Sequence, residues 1–161
     1  MSVVTIIEAD LTAPSHQQAI VHLINSYAHD PMGGGRDLPP DVRERLIHGL
    51  RQHPTTLVFL AMDNETPVGL AVCFLGFSTF AARPLINIHD LAVIPEYRGL
   101  GIGRQLLEQV EARGRALGCA KLTLEVRADN DRAQRLYQQL GFGDMPTENG
   151  TVRNWFLQKS L

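Results

Sequence analysis

Cysteine is scarce in this chain: 161 residues contain only Cys73 and Cys119, in no Cys-x-x-Cys pair and no Cys/His cluster. That leaves no framework for disulfides or structural zinc; it fits a reducing cytoplasm, and no metal is expected. Long apolar runs are missing too. The longest, Val68 to Phe77, covers about half of the ~20 residues that a membrane span needs. Glu8 and Asp10 also stand where a secretory leader would be basic and then apolar. A cytoplasmic protein with no membrane partner is the expectation. Nor is there an excess of one charge: fifteen Lys and Arg face seventeen Asp and Glu, a formal charge of −2, which argues against a broad basic face and a nucleic-acid partner. Finally, no Gly-Lys dipeptide occurs, so the Walker phosphate loop is absent.

What is present is a chain of one domain's size, 1–161, that is 44% hydrophobic and 20% charged, enough for a substantial core. It contains neither repeats nor low-complexity tracts. Changes of hydrophobic period predict a strand over Val3–Ala9 and a helix opened by a capping box of Ser15 and Gln18 that stops before Asp30-Pro31. A glycine- and proline-rich loop follows, and Pro39-Pro40 open a second helix. Thr56–Met62 and Val68–Phe77 read as a hairpin with a five-residue loop, and Leu85–Ile94 as the next strand. Arg98 to Leu117 is a glycine-rich turn leading into a helix that Gly118 ends. Lys121–Val126 is a strand, Asp129–Leu140 a helix capped by Asp129 or Asn130, and Thr151–Leu157 a last strand. The order specifies an α/β (α+β) chain, largely antiparallel in front with one strand-helix-strand crossover behind.

The segment richest in chemistry is Arg98-Gly99-Leu100-Gly101-Ile102-Gly103-Arg104. Alternating glycines between a strand and a helix let the backbone approach an anion closely, with the N–H groups of the first helical turn aimed at it. A phosphate ligand is the physical expectation, with Arg98 and Arg104 adding charge-assisted contacts. A dinucleotide fingerprint, GxGxxG, requires glycine where Arg104 stands; Glu125, at the end of the next strand, imitates the ribose-binding acid of that alternative.

Arg98 to Gly103 resembles the (R/Q)xxGx(G/A) acyl-CoA diphosphate loop of the GNAT superfamily of N-acetyltransferases. Asn130, Ala133, Tyr137 and Gly141-Phe142 are similar to that family's distal motif, N-x-x-A-x-x-x-Y-x-x-x-G-F. The resemblance covers about residues 85 to 142. It implies a mixed, mostly antiparallel central sheet, splayed between strands 4 and 5 and flanked by about four helices. It also implies acetyl transfer from acetyl-CoA to a primary amine of a small molecule, peptide or protein, by direct attack in a ternary complex. The pantetheine arm would lie along Asn87 to Val93, meeting the main chain at Leu91, Ala92 and Val93, with the diphosphate at the loop formed by Arg98, Gly99, Leu100, Gly101, Ile102, Gly103 and Arg104. Asn130 would hold the pantetheine amide or cap its helix, and Tyr137 would be the general acid for the departing thiolate. Family members often pair through C-terminal strands, which implies a homodimer. The alternative from another class is a CoA-binding module that regulates rather than catalyses.

Three residues compete for the base. An imidazole at His89 suits proton removal near neutrality. Glu125 resembles the glutamate of ribosomal-protein alanine acetyltransferases, whose Leu-Glu-Val-Arg segment is similar to this one. Asp90 would orient the site or meet a cationic substrate. Strand alternation places His89 and Asp90 on opposite faces unless a bulge intervenes. For the acceptor, the resemblance points to Asp30–Pro40, to the Gly76–Pro84 connection and to Asp144–Gly150; Gly33-Gly34-Gly35 suggests a mobile lid. Arg36 reads first as a solvated loop arginine, with contact to an acceptor carboxylate or phosphate as the alternative, and Asp30, Asp37 and Asp90 would favour a cationic amine; these signals conflict, and the acceptor stays open.

Overall fold

The computed structural model describes residues 3–143, 145–147, 149–152 and 157–160, in two compact units, Met1–Leu124 and Glu125–Leu161. The first runs β1 (Val4–Glu8), α1 (Pro14–His29), α2 (Pro40–Gln52), β2 (Thr56–Asp63), β3 (Thr66–Ser78), β4 (Arg83–Val93), a 3-10 turn (Pro95–Tyr97), α3 (Ile102–Ala116) and β5 (Leu122–Leu124). The second holds α4 (Asp131–Gln139) and the hairpin strands β6 (Met145–Thr147) and β7 (Gly150–Val152). β1 to β5 form one sheet in chain order, antiparallel as far as β4 and parallel between β4 and β5. A doubly wound dinucleotide fold needs successive parallel strands, so the fingerprint alternative fails on topology.

Alternation divides the core. Val58, Leu60, Leu70 and Val72 turn one way and bury against Ala19, Ile20 and Leu23 of α1 and Leu50 of α2. The intervening Phe59, Ala61, Ala71 and Cys73 turn the other way, towards the buried α3 side chains Ile102, Leu106, Leu107 and Val110. Two glycines set how closely α3 lies. A Cβ on Gly69 would stand 3.0 Å from the Ala92 carbonyl oxygen and 3.4 Å from Ile102, and one on Gly114 would stand 3.2 Å from Leu122.

Several sequence-based boundaries move, each for a local reason. The Ser15/Gln18 capping box does not form: Pro14 takes the first helical position, where a missing N–H costs nothing, and Ala13 caps without a side-chain bond. The β2–β3 loop is two residues rather than five. Asp63 pairs with Thr66, and Asn64 adopts a left-handed φ of 54°, which asparagine tolerates. β3 continues to Ser78 and β4 begins at Arg83, so the expected Gly76–Pro84 connection shrinks to residues 79–82. The strand expected over Lys121–Val126 keeps only Leu122–Leu124, which leaves Glu125 beyond its end. Of the strand expected over Thr151–Leu157, Thr151 and Val152 form part of β7, which pairs with Met145–Thr147; residues 153–156 lie outside the described residues.

Candidate active site

The chemistry-bearing part of β4 begins where its register slips. Val72 pairs with Asp90 but Cys73 with Ile88, so His89 is the extra residue of a bulge. One inserted residue cancels the alternation that would separate His89 from Asp90. Both now lie on the α1/α2 face. The His89 ring meets Phe74 edge-on at 5.6 Å, and His89 Nδ1 is 2.9 Å from Asp90 Oδ2. An ionised carboxylate only accepts, so in the neutral imidazole Nδ1 carries the proton and Nε2 the lone pair. The His89 side chain is 63% exposed and that of Asp90 26%. Behind this pair, burial and then the charge of Asp90 push the Cys73 thiol up to about 12, making it a packing group rather than a nucleophile.

Beyond the bulge one edge of β4 is open. β5 pairs only with Ile86–Ile88, and past that point no strand covers this edge among the described residues. The N–H of Ile94 donates to the Val68 carbonyl at 3.0 Å, and bonding directions alternate along an antiparallel strand. Asp90 and Ala92 therefore bond towards β3, while Leu91 and Val93 turn their main-chain groups to the open edge. Ala92, expected to meet a cofactor, gives its main chain to the sheet and packs its side chain into the α1/α2 core.

The glycine turn follows directly. Gly99 and Gly101 both adopt φ of 80°, and Gly101 is the N-cap of α3. The first bond of the helix runs from Gln105 N–H to the Gly101 carbonyl, so the amides of Ile102 and Gly103 stand at the helix's open first turn, and Arg104 lies in the same turn. Buried Ile102 anchors that turn to the core, while Leu100 is exposed. Arg98, expected at the phosphate, has two protein partners in this structure. Its Nε donates to the Val93 carbonyl at 2.9 Å and its NH2 to Asp30 Oδ2 at 2.7 Å. The Met32 amide and then Arg98 hold the Asp30 carboxyl below the usual carboxylate range. A second strut passed unnoticed in the sequence: the Tyr97 hydroxyl donates to Asp63 Oδ2 at 2.7 Å, a bond that pushes the Tyr97 phenol up. Tyr97 is visible in the sequence, but nothing local marks Asp63, 34 residues away, as its partner.

Asp30 also organises the loop expected to be a mobile lid. Its carbonyl accepts from the amides of Gly33, Gly34 and Gly35, and Leu38 N–H donates to the Asn25 side chain. Asp37 pairs with His29 at 2.9 Å. The glycines serve a tight turn: a Cβ on Gly33 would run into the Tyr27 carbonyl, and Gly35 has φ of 76°. Gly33→Ala should cost ~1–3 kcal/mol of stability, the range of overpacking, as measured by urea denaturation.

The second unit carries the other motif residues. Asn130 caps α4, its Oδ1 accepting from Ala133 N–H at 3.2 Å; Asp129, the other expected cap, pairs instead with Arg127 at 2.8 Å. Tyr137 lies on the half-buried stripe of α4, its ring 5.9 Å from that of Phe142. Glu125 is exposed. Among the described residues no His/Cys/Asp/Glu cluster could hold a metal ion, and no helix is long and apolar enough to cross a membrane.

Comparison with known proteins points the same way. The thialysine N-epsilon-acetyltransferase of Bos taurus is 37% identical over 83 residues, 52% of this chain and 48% of that protein, so the chain spans about half the length of this relative. The protein of the same name from Caenorhabditis elegans is 23% identical over 149 residues, 89% of this chain and 84% of that one. The fold matches that of the aminoglycoside N-acetyltransferase AAC(6')-Iy, solved in complex with CoA, with a TM-score of 0.75 and 21% identity over 100% of this chain and 97% of that one. Residues 20–142 match the profile of the Acetyltransferase (GNAT) family. With the five-stranded mixed sheet and the glycine turn opening α3, that match shows that the chain belongs to the GNAT family of acetyltransferases.

Proposed function

We propose that this chain transfers the acetyl group of acetyl-CoA to a primary amine by direct attack within a ternary complex. One observation carries the reading: a single continuous segment presents the His89–Asp90 pair, then an open strand edge at Leu91 and Val93, then a left-handed glycine turn into the first turn of α3. Those three features match, in order, a base, a cradle for the pantetheine amides and a seat for the diphosphate. The match to the family profile runs from the first unit into the second, which supports reading 1–161 as one acetyltransferase domain. Two free cysteines, one of them buried, support a cytoplasmic setting.

In this mechanism the main chain of Leu91 and Val93 pairs with pantetheine as an added strand, and one of these amides donates to the thioester carbonyl where negative charge develops. Gly101, Ile102 and Gly103 hold the diphosphate with main-chain N–H groups, and Arg104 adds charge in the same turn. Arg98 acts through the loop's position rather than by touching phosphate, because Val93 and Asp30 hold its guanidinium. The amine nitrogen attacks the thioester carbon and the carbon–sulfur bond breaks. The nitrogen's proton passes to His89 Nε2, and the departing thiolate takes the phenolic proton of Tyr137. Asp90 positions the imidazole. Glu125 is the competing base, and its position beyond the end of β5 removes the strand support that His89 has.

Free thiol should appear only when acetyl-CoA and an amine are both present. Coenzyme binding without thiol release across a broad amine panel would overturn the reading. Tyr137→Phe should lower kcat by about 10²-fold or more, at the lower end of general acid catalysis, with acetyl-CoA affinity nearly unchanged. A full rate in that variant would remove Tyr137 from the mechanism.

A further inference from the structure

Next to the base lies a cleft that the transfer chemistry does not use. Val42, Leu46 and Leu50 of α2 and Phe74 of β3 form its apolar walls, around about 420 Å³. Two polar side chains border it, and both are engaged nearby. Arg45 donates to the Asp41 carboxylate at 2.7 Å, one turn earlier on its own helix. His53 lies 3.2 Å from the Thr55 hydroxyl and stacks edge-on against Phe74 at 4.9 Å. No carboxylate lines the cleft among the described residues. Phe74 links the cleft to the chemistry, since its ring also meets His89 at 5.6 Å.

From this arrangement we infer that the acceptor is a primary amine borne on an apolar body, ring-sized or alkyl, that seats in the α2 cleft against Phe74 and extends its nitrogen on a short arm to His89 Nε2. The inference rests on the transfer reading above and names its substrate class. Apolar walls reward each buried methylene by about fourfold in affinity. A second ammonium on the acceptor would give up the apolar contact a methyl end makes and would find Arg45 but no carboxylate in the lining. Diamines and other dications are therefore disfavoured: of the α1–α2 loop acids, Asp30 is paired to Arg98, and neither Asp30 nor Asp37 lines the cleft.

The test is a steady-state comparison of hexylamine, 1,6-diaminohexane, phenethylamine and ethylamine, followed by thiol release from acetyl-CoA. Hexylamine and 1,6-diaminohexane have the same reach and differ in the terminal ammonium alone. The expected result is a kcat/KM for hexylamine and phenethylamine at least tenfold above that for the diamine and for ethylamine. Gly49→Leu supplies the second arm. Gly49 lines the cleft, and nothing lies within 4 Å of a Cβ built there, so a leucine side chain can enter the cleft without a clash at its Cβ. It should raise KM for hexylamine about tenfold and erase the preference over ethylamine; calorimetric binding of acetyl-CoA confirms that the variant is folded. A preference for the diamine, or a hexylamine-to-ethylamine ratio unmoved by Gly49→Leu, overturns the cleft assignment while leaving acetyl transfer standing. Thiol release with none of the four amines, nor with a broader panel, overturns the transfer reading and this inference with it. Should Gly49→Leu fail to fold, the wild-type series decides alone.

Discussion

Replacing His89 by glutamine should lower kcat/KM for amine acetylation by about 10²–10⁴-fold, the usual contribution of a positioned base, and abolish the acidic limb of its pH profile. The sign follows from the chemistry. The imidazole works only when neutral, so the wild-type rate falls as acid protonates Nε2, whereas glutamine has nothing to titrate there. The geometry explains why the loss should be large: the bulge turns the ring onto the α1/α2 face, and Asp90 at 2.9 Å fixes which nitrogen is free. Asp90→Asn keeps a carbonyl oxygen that can accept from Nδ1–H but removes the charge that stabilises the imidazolium, so a smaller loss, about tenfold, is expected. Glu125→Gln should retain the acidic limb. If Glu125→Gln flattens the profile and His89→Gln does not, the base assignment passes to Glu125.

Gly101→Val should weaken acetyl-CoA binding by tenfold or more with only a modest change in melting temperature. At φ of 80° an L-residue meets its own carbonyl, at a cost of ~1–2 kcal/mol, and a β-branched residue is worse placed still. Nothing lies within 4 Å of a Cβ at this position, so the added volume itself is tolerated and the penalty falls on the backbone conformation. The chain relieves it by rotating the turn, which swings the amides of Ile102 and Gly103 away from the diphosphate. Calorimetric titration with acetyl-CoA checks this directly. An unchanged affinity would mean that the coenzyme is held elsewhere.

The parts legible in the sequence are those written in local composition. Three alternating glycines at a strand-helix junction announce a turn that admits an anion, and two of them do adopt left-handed angles. Pro39-Pro40 starts α2, and Asp30 ends α1, as expected. What stayed hidden depends on partners distant in the chain. The bulge at His89 leaves no trace in the composition of β4, because it is a mismatch with β3 and becomes visible only in the register. Nothing local announces that Arg98 pairs with Asp30, 68 residues away. The main-chain carbonyl of the same Asp30 ties down a glycine run that reads as a mobile lid, since it accepts from the three glycine amides. The capping box failed for a nearer reason: Pro14 competes for the helix start and needs no hydrogen-bonded N–H.

Amide NMR of the ¹⁵N-labelled chain, titrated first with CoA and then with pantetheine, tests the central claim most directly. CoA should shift the amide resonances of Gly101, Ile102 and Gly103 together with those of Leu91 and Val93, whereas pantetheine, which lacks the diphosphate, should move Leu91 and Val93 alone. If CoA leaves the resonances from Gly101 to Gly103 unmoved, the first turn of α3 is not the diphosphate seat.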